Sequence, residues 1–212
     1  MTPPLSRRIF RRMRATTLLL AVLLAAGPLG LHAQTEYYAR AGAVGASDLL
    51  RDAIVNEITV RQSIAPMIAI GGSLPIGARG YRAGVEATLA SGGFHRSEAG
   101  ASTDLGTIRT GTLMLDLEGP IHRQFRWRLG LGGIKYWPAD DSGIFLQGGS
   151  LRLLAGAGLD YRHPVLPRWD LLTSLRYDFH RFTTGELESR GFSQTQGVSR
   201  VSLSVGLSRS AP

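Results

Sequence analysis

The 212-residue chain contains no cysteine and a single lysine, Lys135. Without thiols it can build neither a disulfide framework nor a thiolate metal site. Its hydropathy averages near zero, which leaves no room for a bundle of membrane helices. No amphipathic helix of useful length is visible, and there is no phosphate loop, nucleotide fingerprint or metal-spaced histidine cluster. The basic excess is also thinner than it looks. Five arginines (Arg7, Arg8, Arg11, Arg12, Arg14) crowd the first fourteen residues. Residues 34–212 hold 19 basic and 16 acidic side chains, so the net charge falls from +8 to +3. That is no nucleic-acid footprint, and no nucleic-acid partner is expected.

The arginines instead open an export signal. After the positive residues 1–14 comes an apolar run from Thr16 to Leu29, broken by Gly27-Pro28, and then Leu31-His32-Ala33 before Gln34. This order predicts a cleavable secretory signal peptide at 1–33 and a mature domain at 34–212. A retained membrane helix is the competing reading, but the run is short and ends in Gly and Pro. Ser6-Arg7-Arg8-Ile9-Phe10 also resembles the twin-arginine motif of a route that carries folded proteins; the blander reading is an arginine-rich n-region that contains the pair by chance.

The mature part is a series of short alternating segments separated by turn residues. Period-two alternation marks strands with two unlike faces. Eight strands are expected, at 36–46, 63–74, 79–91, 107–118, 124–136, 149–161, 168–181 and 197–209. In the third, Tyr81, Val85 and Leu89 oppose Arg82, Glu86 and Thr88; in the eighth, Val201, Leu203, Val205 and Leu207 oppose Arg200, Ser202 and Ser204. Pro66 cannot donate to a ladder, so the second strand is expected to be irregular. Gaps after even-numbered strands are short; those after odd-numbered strands, roughly 47–62, 92–106, 137–148 and 182–196, are long. Short turns on one side and long loops on the other are a habit of transmembrane barrels. An even strand count then puts both chain ends on the short-turn side.

Alternation alone does not say which face is inside. A soluble lipocalin-like barrel would hide the apolar face and wet the polar one. Three features favour the reverse. The charged face is rich in glycine and serine, which suits a narrow tube holding long arginines. The apolar face carries almost no charge along its middle; Arg109 is an exception, expected near a rim from which it reaches the interface. Aromatics gather at strand ends, with Tyr37, Tyr81, Phe125, Trp127, Tyr161 and Trp169 toward one rim and Phe94, Tyr136, Trp137, Tyr177 and Phe179 toward the other.

Together with the glycine-rich opening Tyr38-Ala39-Arg40-Ala41-Gly42-Ala43-Val44-Gly45, these features resemble the small OmpA/OmpX-like outer-membrane barrels (the outer membrane protein beta-barrel domain). One departure is the absence of a terminal aromatic; the last residues are Leu207-Ser208-Arg209-Ser210-Ala211-Pro212. The resemblance implies an all-β, eight-stranded, antiparallel up-and-down transmembrane β-barrel behind the signal peptide. It also implies a bacterial outer-membrane location with both termini periplasmic, and contact with outer-membrane lipid, lipopolysaccharide and the barrel-insertion machinery. A monomer without cofactor is expected.

Eight strands leave an interior that side chains fill. The inward set is expected to pair Arg40, Arg82, Arg126, Arg128, Arg152, Arg162, Arg176 and Arg200 with Glu86, Asp116, Glu118, Asp160, Asp170 and Asp178. Buried charges must be paired or are very costly, so a salt-bridged lumen without a wide channel follows. The expected role is structural, adhesive or small-solute passage, and not catalysis. Two alternatives stay open: a soluble periplasmic ligand-binding barrel, and a lipid A-modifying enzyme. The latter would rest on His95-Arg96-Ser97, whose spacing resembles the His-x-Ser pair of barrel deacylases. The adjacent Asp140-Asp141 pair is read as solvated and not as a metal site.

Overall fold

The computed structural model describes residues 35–52, 58–77, 79–98, 101–139, 145, 151–189 and 196–210. The expected signal peptide and Asp140-Asp141 lie outside these residues. Ten strands run in chain order: β1 (Glu36–Ala46), β2 (Leu50–Asp52), β3 (Ile58–Gln62), β4 (Ala65–Ile76), β5 (Tyr81–Glu98), β6 (Ala101–Pro120), β7 (Phe125–Pro138), β8 (Leu151–Leu166), β9 (Trp169–Phe182) and β10 (Gln196–Ser210). A one-turn helix, α1 (Gly185–Ser189), precedes β10.

Eight of the strands close a ring, β1-β4-β5-β6-β7-β8-β9-β10, with every pairing antiparallel. Closure comes from the chain ends: β1 pairs with β10 from Glu36↔Ser210 to Ala46↔Arg200. Every ring strand has at least 11 residues, enough for a tilted strand to cross a bilayer. The remaining two strands form a small hairpin. β3 pairs with β5 beyond the reach of β4, so β3 and β4 act as one long strand interrupted at Ser63-Ile64. The irregularity expected near Pro66 is therefore a break just before it.

The turns at one end are tight. They cover residues 77–80, 121–124 and 167–168. In the first, Gly77 and Gly80 take positive φ (68° and 75°), which glycine adopts without steric cost. In the last, Pro167 precedes Arg168 at φ 70°, the pattern of a type II turn. At the other end one expectation needs correction. Residues 92–106 are not a loop. β5 and β6 continue as a paired hairpin to Glu98 and Ala101, with a bulge where Gly106 takes φ 88°. The polar composition of the segment hid it, because a hairpin with both faces wet shows no apolar alternation.

The faces sort by parity. Leu113, Leu115, Leu129, Leu131, Leu151, Leu153, Leu203 and Val205 all point outward and are exposed. Arg40, Glu86, Asp116, Glu118, Arg128 and Asp160 point inward and are buried. The polarity is thus inverted relative to a soluble barrel, as a transmembrane barrel requires.

Candidate functional site

The lumen is filled in two layers. The layer nearer the tight turns is charged and centres on Arg128 of β7. Its guanidinium meets carboxylates from three other strands: Asp160 on β8 (Nη2 2.6 Å, Nε 3.1 Å), Glu86 on β5 (2.8 Å), and Glu118 (3.0 Å) and Asp116 (3.4 Å) on β6. Each acid has a second cation. Glu86 also binds Arg40, Asp116 binds Arg176 (3.1 Å), Glu118 binds Arg162 (3.1 Å), and Asp160 lies 3.9 Å from Arg40 while accepting from Ser174 Oγ at 2.6 Å. The shared cations join the pairs into one network, which is how ionised groups tolerate burial.

Tyr38 completes the centre. Its hydroxyl donates to Glu86 at 2.9 Å and accepts from Arg128 at 2.7 Å, and the Arg40 and Arg128 guanidinium carbons lie 5.2 and 5.1 Å from its ring centroid. Space for this packing comes from glycine. A methyl group at Gly71 would collide with the Tyr38 ring, and one at Gly130 would collide with Arg176 and Asp116. Below this centre Glu36 binds Arg162 and lies 3.6 Å from Arg82, whose Nε also donates to Ser73 Oγ at 2.8 Å.

The second layer, toward the long hairpins, is apolar. Leu49, Val60, Phe94, Ile108, Met114, Ile134, Tyr136, Phe145, Leu154, Phe182 and Val198 form one buried cluster. Its rings pack edge to face: Tyr136 and Phe182 centroids are 5.3 Å apart, and Phe145 and Phe182 are 6.0 Å apart. Between the layers Tyr136 Oη shares a 2.7 Å hydrogen bond with His180 Nε2, and Arg200 donates to Thr110 Oγ1 at 3.1 Å.

No protein-family model matches the chain, and no curated protein matches it in sequence. Among solved structures, the chain is similar to Neisserial surface protein A at 14% identity and TM-score 0.52, over 82% of this chain and 96% of that one. It is also similar to the outer membrane protein AlkL, solved in lipid bilayers, at 14% identity and TM-score 0.57, over 87% of this chain and 93% of that one. This is the fold of the small outer-membrane β-barrels.

Within that barrel fold, most residues expected in the lumen meet one another. Arg40, Arg82, Glu86, Asp116, Glu118, Arg128, Asp160, Arg162 and Arg176 share the charged layer, and Asp178 accepts from Arg176 Nε at 2.7 Å. Four others lie apart from its centre. Arg126 sits at the tight-turn rim, bonded to the Gly80 carbonyl and 3.8 Å from Glu118. Arg152 sits toward the opposite end, donating to the Thr183 carbonyl at 2.9 and 3.2 Å. Asp170 makes no ion pair among the described residues, because it stands beside the Pro167-Arg168 turn at the end of β9. Arg200 occupies the boundary between the layers.

Sequence reasoning missed Glu36, Tyr38 and Ser73. The parity of Arg40 already placed Glu36 and Tyr38 on the inner face, so that signal was available. Two aromatics need correction. Phe94 and Tyr136, expected in the outer girdle, are 5% and 1% exposed inside the apolar layer. They share parity with the inward residues Glu86 and Arg128, and height along the strand was read where face decides.

The His95-x-Ser97 pair lies in the β5–β6 hairpin. His95 Nδ1 is 3.7 Å from Asp104 Oδ1, while Ser97 makes no hydrogen bond to His95 among the described residues. His95 stands near a carboxylate without hydrogen-bonding to it, and the serine is not engaged with the histidine.

Proposed function

We propose that this chain is a non-catalytic protein of the bacterial outer membrane, closed to solutes along its axis, that presents its long hairpins to the exterior from a rigid barrel. The start of β1 and the end of β10 lie on the tight-turn side, which in such barrels faces the periplasm. The observation that carries the reading is the double seal: a charge network centred on Arg128 beneath an aromatic and aliphatic layer. A diffusing solute would have to break several shared ion pairs and then displace packed side chains, and both are costly in a low-dielectric interior.

Planar-bilayer recording of the purified chain is expected to show no discrete conductance steps at physiological salt. Regular single-channel openings would reject the sealed lumen and favour small-solute passage.

The catalytic alternative has one supporting observation, the His95–Asp104 contact. Ser97→Ala is expected to leave lipid A unchanged by mass spectrometry in cells that express the protein. A fragment or mass shift present with the native chain and lost in the variant would make the barrel a lipid A hydrolase.

A further inference from the structure

The outer surface is not uniformly convex. Across β5 to β8 it carries a groove of about 850 Å³. Its floor runs along one level of three neighbouring strands, from Ala87 on β5 past Leu113 on β6 to Gly133 on β7, with a small residue at each end. One wall is the ridge of Leu151 and Leu153 on β8, 70% and 82% exposed; the other is Leu89 on β5. At the long-hairpin end the groove stops at Trp137. A methyl group at Gly111 would fall 2.6 Å from the Trp137 ring, so this glycine lets the indole lie flat against the sheet.

Two cations stand at that same end. Lys135, the only lysine of the chain, is level with Gly111 and holds its Nζ 5.3 Å from the Trp137 ring centroid. Arg109 is the register partner of Trp137, one outward level further along. Both side chains are exposed, and neither makes an ion pair with a carboxylate among the described residues. A cation on the apolar face of a barrel is costly unless it reaches the interface. Two of them, flanking an aromatic at the mouth of an apolar groove, are complementary to an anionic head carrying an alkyl tail.

We propose that this groove is a lipid-binding site. A phosphate-bearing lipid of the leaflet at the long-hairpin end lays one acyl chain against Ala87, Leu113 and Gly133 and sets its phosphate against Lys135 and Arg109. The proposal rests on the membrane reading above and adds a specific lipid class and seat to it. A zwitterionic lipid offers the same tail but no net charge, so selection comes from the two cations. A cation near a membrane surface contributes enough attraction for about fivefold selectivity toward anionic headgroups.

The test uses the full mature chain with Trp127→Phe and Trp169→Phe, so that Trp137 is the remaining indole. It is reconstituted into vesicles in which either an anionic or a zwitterionic phospholipid carries brominated acyl chains that quench indole fluorescence. The expected result is a preference of about fivefold or more for the anionic lipid at Trp137. The preference should fall toward unity in Lys135→Gln with Arg109→Gln. It should also fall in Ala87→Phe, which keeps both cations and fills the groove. Equal quenching by the two lipids, or a preference unchanged in the double charge variant, overturns the site while leaving the barrel in its membrane. No quenching by either lipid overturns both, because Trp137 would then not face lipid.

Discussion

Arg128→Met is expected to cost the barrel about 3–5 kcal/mol, the penalty for breaking a buried ion pair by removing one partner. The side chain is replaced by an apolar one of similar length, so packing changes little. Electrostatics change more. Glu86, Asp116, Glu118 and Asp160 all lose a guanidinium within 3.4 Å, and Tyr38 Oη loses its donor. Each acid keeps a second cation, Arg40, Arg176 or Arg162, which holds the loss within that range. Arg126→Met is the matched control. Arg126 is 21% exposed at the rim, its ion pair to Glu118 is 3.8 Å long and its other bond is to the Gly80 carbonyl, so its loss should cost about 1 kcal/mol, well under that of Arg128. Urea unfolding in lipid vesicles, followed by the gel shift between folded and unfolded barrel, measures both. Similar costs for the two variants would mean that Arg128 is not the centre of the network.

Leu115→Arg is expected to destabilise the chain in vesicles by about 2–4 kcal/mol, because its side chain points out from the middle of the apolar band. Leu115 is 68% exposed and pairs with Leu131 at the middle of β7 and with Val85 on β5, midway along the outward row from Tyr81 to Leu89. The same substitution at Leu159, which pairs with Trp127 near the tight-turn rim, should cost no more than about 1 kcal/mol, since an arginine there reaches the headgroups. In a water-soluble barrel an exposed leucine could become arginine at almost no cost. The depth dependence therefore separates lipid from water as the outer solvent. Two costs near zero would remove the bilayer from around these residues.

The eight ring strands and the inward row of each were legible in the sequence, because the side-chain period of a strand is 2. Leu203, Ser204 and Val205 declare their faces without reference to any other strand. The boundaries were less legible. The β5–β6 hairpin beyond Gly93 reads as loop because its residues, from His95 to Asp104, are polar on both faces. The β2–β3 hairpin was lost inside an apparent loop for a different reason, its strands being only 3 and 5 residues long. Phe94 and Tyr136 were placed by strand height, although parity would have sent them inward.

The membership of the lumen was therefore written in the sequence, and its partnerships were not. Arg128 meets Glu86 across 42 positions and Tyr38 across 90, between strands that are not neighbours in the ring. Parity says which side chains enter the tube. Only closure of β1 on β10, with the register that closure imposes, sets the heights at which they meet across the axis. The same holds for the groove outside: alternation turns Ala87, Leu113 and Gly133 outward, and pairing between strands brings them to one level. Local pattern is a property of one strand, whereas a site spanning several strands is a property of the closed sheet.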